Sequence, residues 1–148
     1  MSNQATYEDV NLVLRLYEMR REEKMRAARA WFAGHCLPTS MEEFMKQAPP
    51  GSDENAHFRQ VVSYWEMVAS FITQGVLHQE LFFQSGMEML LTYTRIKQIL
   101  PMMREMYQNP HAFNNLEKVS QDFIVYVNRT DPGAYAAFES RINGMVKK

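Results

Sequence analysis

The chain has one cysteine, Cys36, so no internal disulfide is possible and packing alone must hold the fold. A lone thiol suits a reducing cytoplasm. Glycine is also scarce. Its six residues, nearly all placed at helix breaks, leave little material for a phosphate cradle, and no Gly-x-Ser-x-Gly elbow or His-Glu-x-x-His pair is present. No motif calls for a cofactor. Charge of one sign is missing as well: 16 basic and 17 acidic side chains leave a net charge of −1. A nucleic-acid binder would carry a clear basic excess on one face. Long apolar runs are absent. The richest, 67–77, is interrupted by Ser70, Thr73, Gln74 and Gly75 and falls short of the roughly 18 residues a membrane span needs. The first six residues are polar and lack the apolar core of a targeting segment. These absences lead us to expect a soluble, cytoplasmic chain that binds neither membrane nor nucleic acid.

What is present is helical periodicity. Val10, Val13, Leu14 and Tyr17, then Ala28, Trp31 and Phe32, recur at spacings of three and four. Thr6 with Asp9 forms a capping pattern, so one long helix is expected from about 7 to 34, stopped by Gly34 and Pro38. At 1.5 Å per residue it would reach ~40 Å, longer than a domain of this size needs, which points to a homodimer. Ser40 and Glu43 predict a short helix over 41–47. The 49–53 stretch, Pro-Pro-Gly-Ser-Asp, is the clearest loop. A third helix should run from 53 or 54 to Gly75, with Gly75 in the left-handed conformation. A fourth should cover 78–98, with Pro101 either kinking it or starting a new helix. Pro110 suits the first turn of a further helix ending near 128, and Thr130-Asp131-Pro132 should open the last. The fold expected is all-α: one domain over 1–148, a bundle of about six or seven helices with a long first helix. The 12 methionines read chiefly as core filling.

Certain residues resemble a known family. Tyr64-Trp65-Glu66-Met67-Val68-Ala69, then Gly75-Val76-Leu77-His78, Ile99-Leu100-Pro101, Arg104 and Phe113 are similar to the bacterial proteins grouped as domain of unknown function 4760. The resemblance spans about 57–125. It implies a small helical bacterial protein and brings no activity and no site residue. The charged stretch 15–29 stands where some members of such families would carry an apolar anchor, and its polarity argues against membrane attachment.

Motifs for chemistry are thin. Glu54-x-x-His57 has the spacing of one half of a di-iron motif, but no second copy exists, and an acid in a first helical turn is favoured by the dipole alone. No metal site follows. Cys36 comes after a helix C-terminus, whose negative end disfavours a thiolate, so His35 beside it does not make a catalytic pair. No catalytic residue is assigned. The dense arginines Arg15, Arg20, Arg21, Arg26 and Arg29 scatter around the helix among Glu18, Glu22 and Glu23, as a solvated face does.

Two polar stripes remain on otherwise apolar helices: Arg59, Ser63, Glu66, Ser70 and Thr73 on the third, and Ser85, Glu88, Thr92 and Arg95 on the fourth. Each is either its helix's water-facing strip, which is the commoner case, or part of a buried polar seam. In a seam, Glu66 would partner Arg95, and Arg59 or Arg104 would partner Glu88. Glu66, Glu88, Thr92 and Arg95 are therefore the candidate ligand-binding residues. Two functions stay open: a non-enzymatic interaction or regulatory module that self-associates, and a small-ligand binder or enzyme using these polar groups. A pocket of some 300 Å³ lined by Glu66, Glu88 and Arg95 would favour the second. An apolar patch on the first helix would favour the first.

Overall fold

The core is organised around one helix. α4 (Asp53–Thr73) turns Phe58, Val61, Val62, Trp65, Val68 and Ala69 inward, a row at three- and four-residue spacing that packs against α2 (Glu23–His35) and α8 (Asn114–Val127). Ser52 caps its start by accepting from the Asn55 N–H. Gly75, at φ 76°, follows its end. The Val76 and Gly75 N–H groups donate back to Phe71 and Ile72, closing the helix in a Schellman turn. In the computed structural model, which describes residues 4–147, the other helices are α1 (Tyr7–Arg20), α3 (Met41–Gln47), α5 (Gln79–Phe83), α6 (Met87–Ile96), α7 (Leu100–Met106) and α9 (Ala134–Asn143). Among the described residues there is no strand, and no helix is long and apolar enough to cross a membrane. A continuous buried cluster runs from Leu16 through Trp65, Leu90 and Phe123 to Ile142.

The expected 7–34 helix is two helices, and nine helices are described in place of six or seven. The break has a local and a tertiary cause. Glu22 leaves the helical conformation (ψ 145°) and caps α2, its carboxylate accepting from the Met25 N–H at 3.0 Å. The end of α1 is held by other helices: the Tyr64 hydroxyl donates to the Leu16 carbonyl at 2.6 Å, and Arg29 Nη1 donates to the Arg20 carbonyl at 3.0 Å. The ~40 Å rod that motivated a dimer is therefore absent.

The expected 78–98 helix is also interrupted, over residues 84–86, between α5 and α6. Gly86 is required there, because a Cβ would lie 2.4 Å from the Phe82 ring. Pro101 opens α7. α8 starts at Asn114, later than Pro110 implied, after Phe113 takes a left-handed φ of 59°. α9 starts after Gly133. The Asn128 side chain accepts from the Tyr135 N–H and so supplies the cap from the end of α8. The methionines divide. Met25, Met89 and Met103 are buried, whereas Met19, Met67, Met87, Met102, Met106 and Met145 are exposed, so core filling accounts for only some of them.

Candidate functional site

The polar residues of the two central helices do not converge. Glu66 is half-buried and completes a helix start. The N-terminus of α8 has no side-chain cap of its own, because Phe113 offers none. Glu66 reaches it from α4, accepting from the Leu116 N–H at 2.9 Å and the Asn115 side chain at 2.7 Å. Asn115 in turn accepts from Thr73. A carboxylate at this position satisfies orphan donors and meets the positive end of the helix dipole.

Arg95 does the reverse at another helix end. It is 1% exposed and has no carboxylate partner among the described residues. Its Nη1 donates to the carbonyls of Phe32 and Cys36, both at 3.0 Å. Its Nη2 donates to Ala33 at 2.8 Å and to Ile142 at 2.6 Å. Three of these acceptors form the C-terminal end of α2 and the fourth lies in α9, so the negative ends of two helices stand in for a counterion. Burial pulls the guanidinium pKa below its ordinary value. Glu66 is thus not its partner. Beside it, the Cys36 thiol is buried and pushed up to about 12, which keeps it neutral. Thr92 is fully buried and bonds back to the Glu88 carbonyl at 3.0 Å.

Glu88 sits at the start of α6 and joins two arginines from the first two helices. Arg29 grips it through Nε at 2.7 Å and Nη2 at 2.9 Å, and Arg20 adds Nη1 at 2.9 Å. The hydrogen bond to Glu88 raises the Arg29 pKa. Arg59 and Arg104 are engaged elsewhere, the first with Asn55 and the second with Glu117 and the Ala112 carbonyl. The polar stripe of α6 is therefore neither an open strip nor a single seam. Ser85 is exposed, Glu88 is partly covered, and Thr92 and Arg95 are sealed.

Two features that the sequence reading did not isolate lie on α1. Between α1, α4 and the α5–α6 turn is a cavity of about 330 Å³. Leu16, Tyr64, Trp65 and Phe82 are among its walls. Arg20, the only charged residue lining it among the described residues, places its guanidinium 5.3 Å from the rings of both Tyr17 and Trp65. Tyr7, Val10, Leu14 and Tyr17 form an exposed apolar row along α1, from 41% exposed at Val10 to 90% at Tyr7, and Leu14 and Tyr17 also line the cavity. At about 100° per residue these four fall within one quadrant of the helix. Glu8, Asn11, Arg15 and Glu18 occupy the neighbouring polar arc. The apolar row was already present in the spacing; its exposure depends on how α1 docks. α1 is tied down through its other side, by Leu16 in the core and by Asp9, which accepts from the backbone N–H groups of Thr6 and His78. These two bonds hold the Asp9 carboxyl below the usual carboxylate range.

Among the described residues, no three His, Cys, Asp or Glu side chains are grouped to hold a metal ion. His57, of the Glu54/His57 pair, lies beside the Trp31 ring. The family profile described as "Domain of unknown function (DUF4760)" matches residues 5–123, a longer stretch than the 57–125 of the motif resemblance, and it includes α1, Arg20, Glu88 and Arg95. No curated protein and no solved structure matches the chain.

Proposed function

Since the chain belongs to the family described as domain of unknown function (DUF4760), a description that names no activity, we propose that it is a non-catalytic interaction module that pairs with a second copy of itself through α1. The observation that carries this reading is the symmetry of the exposed row. Tyr7, Val10, Leu14 and Tyr17 are spaced three, four and three, with aromatics outside and aliphatics inside. The pattern reads the same from either end. A two-fold axis at its middle, as an isologous antiparallel pair requires, sets Tyr7 against the partner's Tyr17 and Val10 against the partner's Leu14. The same axis brings the polar arcs of the two helices together, with Glu8 beside the partner's Arg15. The charges on this flank are thus complementary under the operation that matches the apolar residues.

Two further points support the reading. A row of large apolar side chains left in water marks an interaction surface more often than a neutral surface. The polar groups that chemistry would need are already committed: Glu66 and Arg95 to helix ends, and Glu88 to Arg20 and Arg29. The test is mass in solution. Light scattering at micromolar concentration should give twice the chain mass. The double variant Tyr7→Glu/Val10→Glu should give a monomer with an unchanged circular dichroism spectrum. A monomeric wild type, or a double variant that remains dimeric, overturns the proposal.

A further inference from the structure

We infer that the cavity beneath α1 is a binding site for a small carboxylate with an apolar body, held at its charged end by Arg20. The inference goes beyond self-association and does not depend on it. The cavity's volume, about 330 Å³, lies in the range of small-molecule sites, and its walls are almost wholly aliphatic and aromatic. An apolar body is what such walls recognise.

The charge at the mouth selects the other end of the ligand. Arg20 and Arg29 share the single carboxylate of Glu88, so the cluster holds two cations and one anion. One more negative charge would balance it. Geometry also narrows the choice. Arg29 uses its Nε and Nη2 edge to grip Glu88 with two parallel hydrogen bonds. Arg20 gives Glu88 only Nη1. Its own Nε–Nη2 edge makes no hydrogen bond among the described residues, and that edge is the fork that matches a carboxylate. The Tyr17 and Trp65 rings beside the guanidinium, with its bond to Glu88, restrain the Arg20 side chain before binding, so less side-chain entropy remains to be lost.

Trp65 is 1% exposed and lines the cavity beside Arg20. The Tyr64 hydroxyl is not spare, because it donates to the Leu16 carbonyl.

Trp65 also supplies the readout. The chain has two tryptophans, and Trp31→Phe leaves Trp65 alone. Fluorescence of this variant is titrated with decanoate and with decan-1-ol, both below micelle-forming concentrations. Decanoate should give a saturable change with a Kd about tenfold or more below that of decan-1-ol, the margin expected of a charge-assisted pair. Arg20→Gln in the same background should bind decan-1-ol as before and lose the preference for decanoate. Ser85→Phe, which fills the mouth from an exposed position, should abolish both responses. Absence of saturable decanoate binding, equal affinity for acid and alcohol, a preference that survives Arg20→Gln, or full binding by Ser85→Phe would each overturn the inference. Tyr7 and Val10 do not line the cavity. Tyr7→Glu/Val10→Glu should therefore bind decanoate normally, so that failure of pairing and failure of ligand binding are read separately.

Discussion

Glu88 and Arg95 stand two turns apart on α6, and they serve two different stations along α2. Glu88 holds Arg29 in the body of α2 and Arg20 at the end of α1, while Arg95 closes the C-terminal end of α2 against α9. The two charges never meet, yet together they hold the first two helices onto the core. Losing either therefore loosens a different joint.

Removing Arg95 should be the costlier change. Arg95→Met removes one donor from each of four carbonyls in a buried site; those of Phe32 and Ile142 keep a backbone N–H, and those of Ala33 and Cys36 lose their side-chain partner. The expected loss is ~3–5 kcal/mol in urea melts. Arg95→Lys should recover little, because one ammonium cannot reproduce a planar fork spread over two helix ends. A loss below 1 kcal/mol for Arg95→Met would mean that the α2 end is held by something else.

Glu88→Leu tests the other joint. An open polar strip would tolerate it at ~0.5 kcal/mol or less. A sealed seam would lose ~3–5 kcal/mol. Glu88 is a quarter exposed and binds two guanidiniums, so an intermediate loss of ~1–3 kcal/mol is expected, the range of hydrogen bonds to charged groups. Part of that loss should vanish in high salt, since the pair is not fully shielded from solvent.

Glu66→Ala should act locally. Its carboxylate supplies the only side-chain acceptor at the start of α8 among the described residues. A loss of about 1 kcal/mol is expected, as for an N-cap deletion. Hydrogen exchange should accelerate at Leu116 and its neighbours and stay unchanged in α2. Uniform acceleration across the chain would contradict a capping role.

Asp9 gives the fold an acid-sensitive clasp. Its folded carboxyl pKa lies below the ordinary 3.8, chiefly through the Thr6 N–H and then the His78 N–H. A lowered pKa means that the stabilisation is full above the ordinary value and is lost as pH falls through the lowered one. Wild type should therefore exceed Asp9→Asn in stability at pH 7, and the gap should close as pH falls below ~3.8. Thermal melts of both proteins across that range measure the gap; one that widens in acid would reverse the sign.

The parts of this fold that were legible in the sequence are those whose causes are local. Ser40 with Glu43 and Gly75 mark helix ends through their own chemistry, and the 49–53 loop marks where α4 begins. The break between α1 and α2 was hidden. Its cap is Glu22, an uncommon capping residue inside a charged run, and two of its hydrogen bonds come from Tyr64 and Arg29. The break at Gly86 depends on where the Phe82 ring lies, which periodicity does not encode. Arg95 was recognisable as a residue needing partners. A sequence search for those partners looks for carboxylates, whereas the acceptors are backbone carbonyls with no letter of their own. Arg20 was read as one of a scattered set because its role depends on Tyr17 and Trp65 flanking it in space.

Arg95 also ties together chain on both sides of the family boundary. The stretch shared with the family stops at Phe123, but the guanidinium inside that stretch holds the carbonyl of Ile142 beyond it. The Gly34 carbonyl is likewise bound by the Lys147 N–H. A fragment cut at the family boundary would lose one acceptor from its most buried cation, and it would lose Phe138 and Ile142 from its core. The segment matched by the family profile is thus shorter than the segment whose residues share this core.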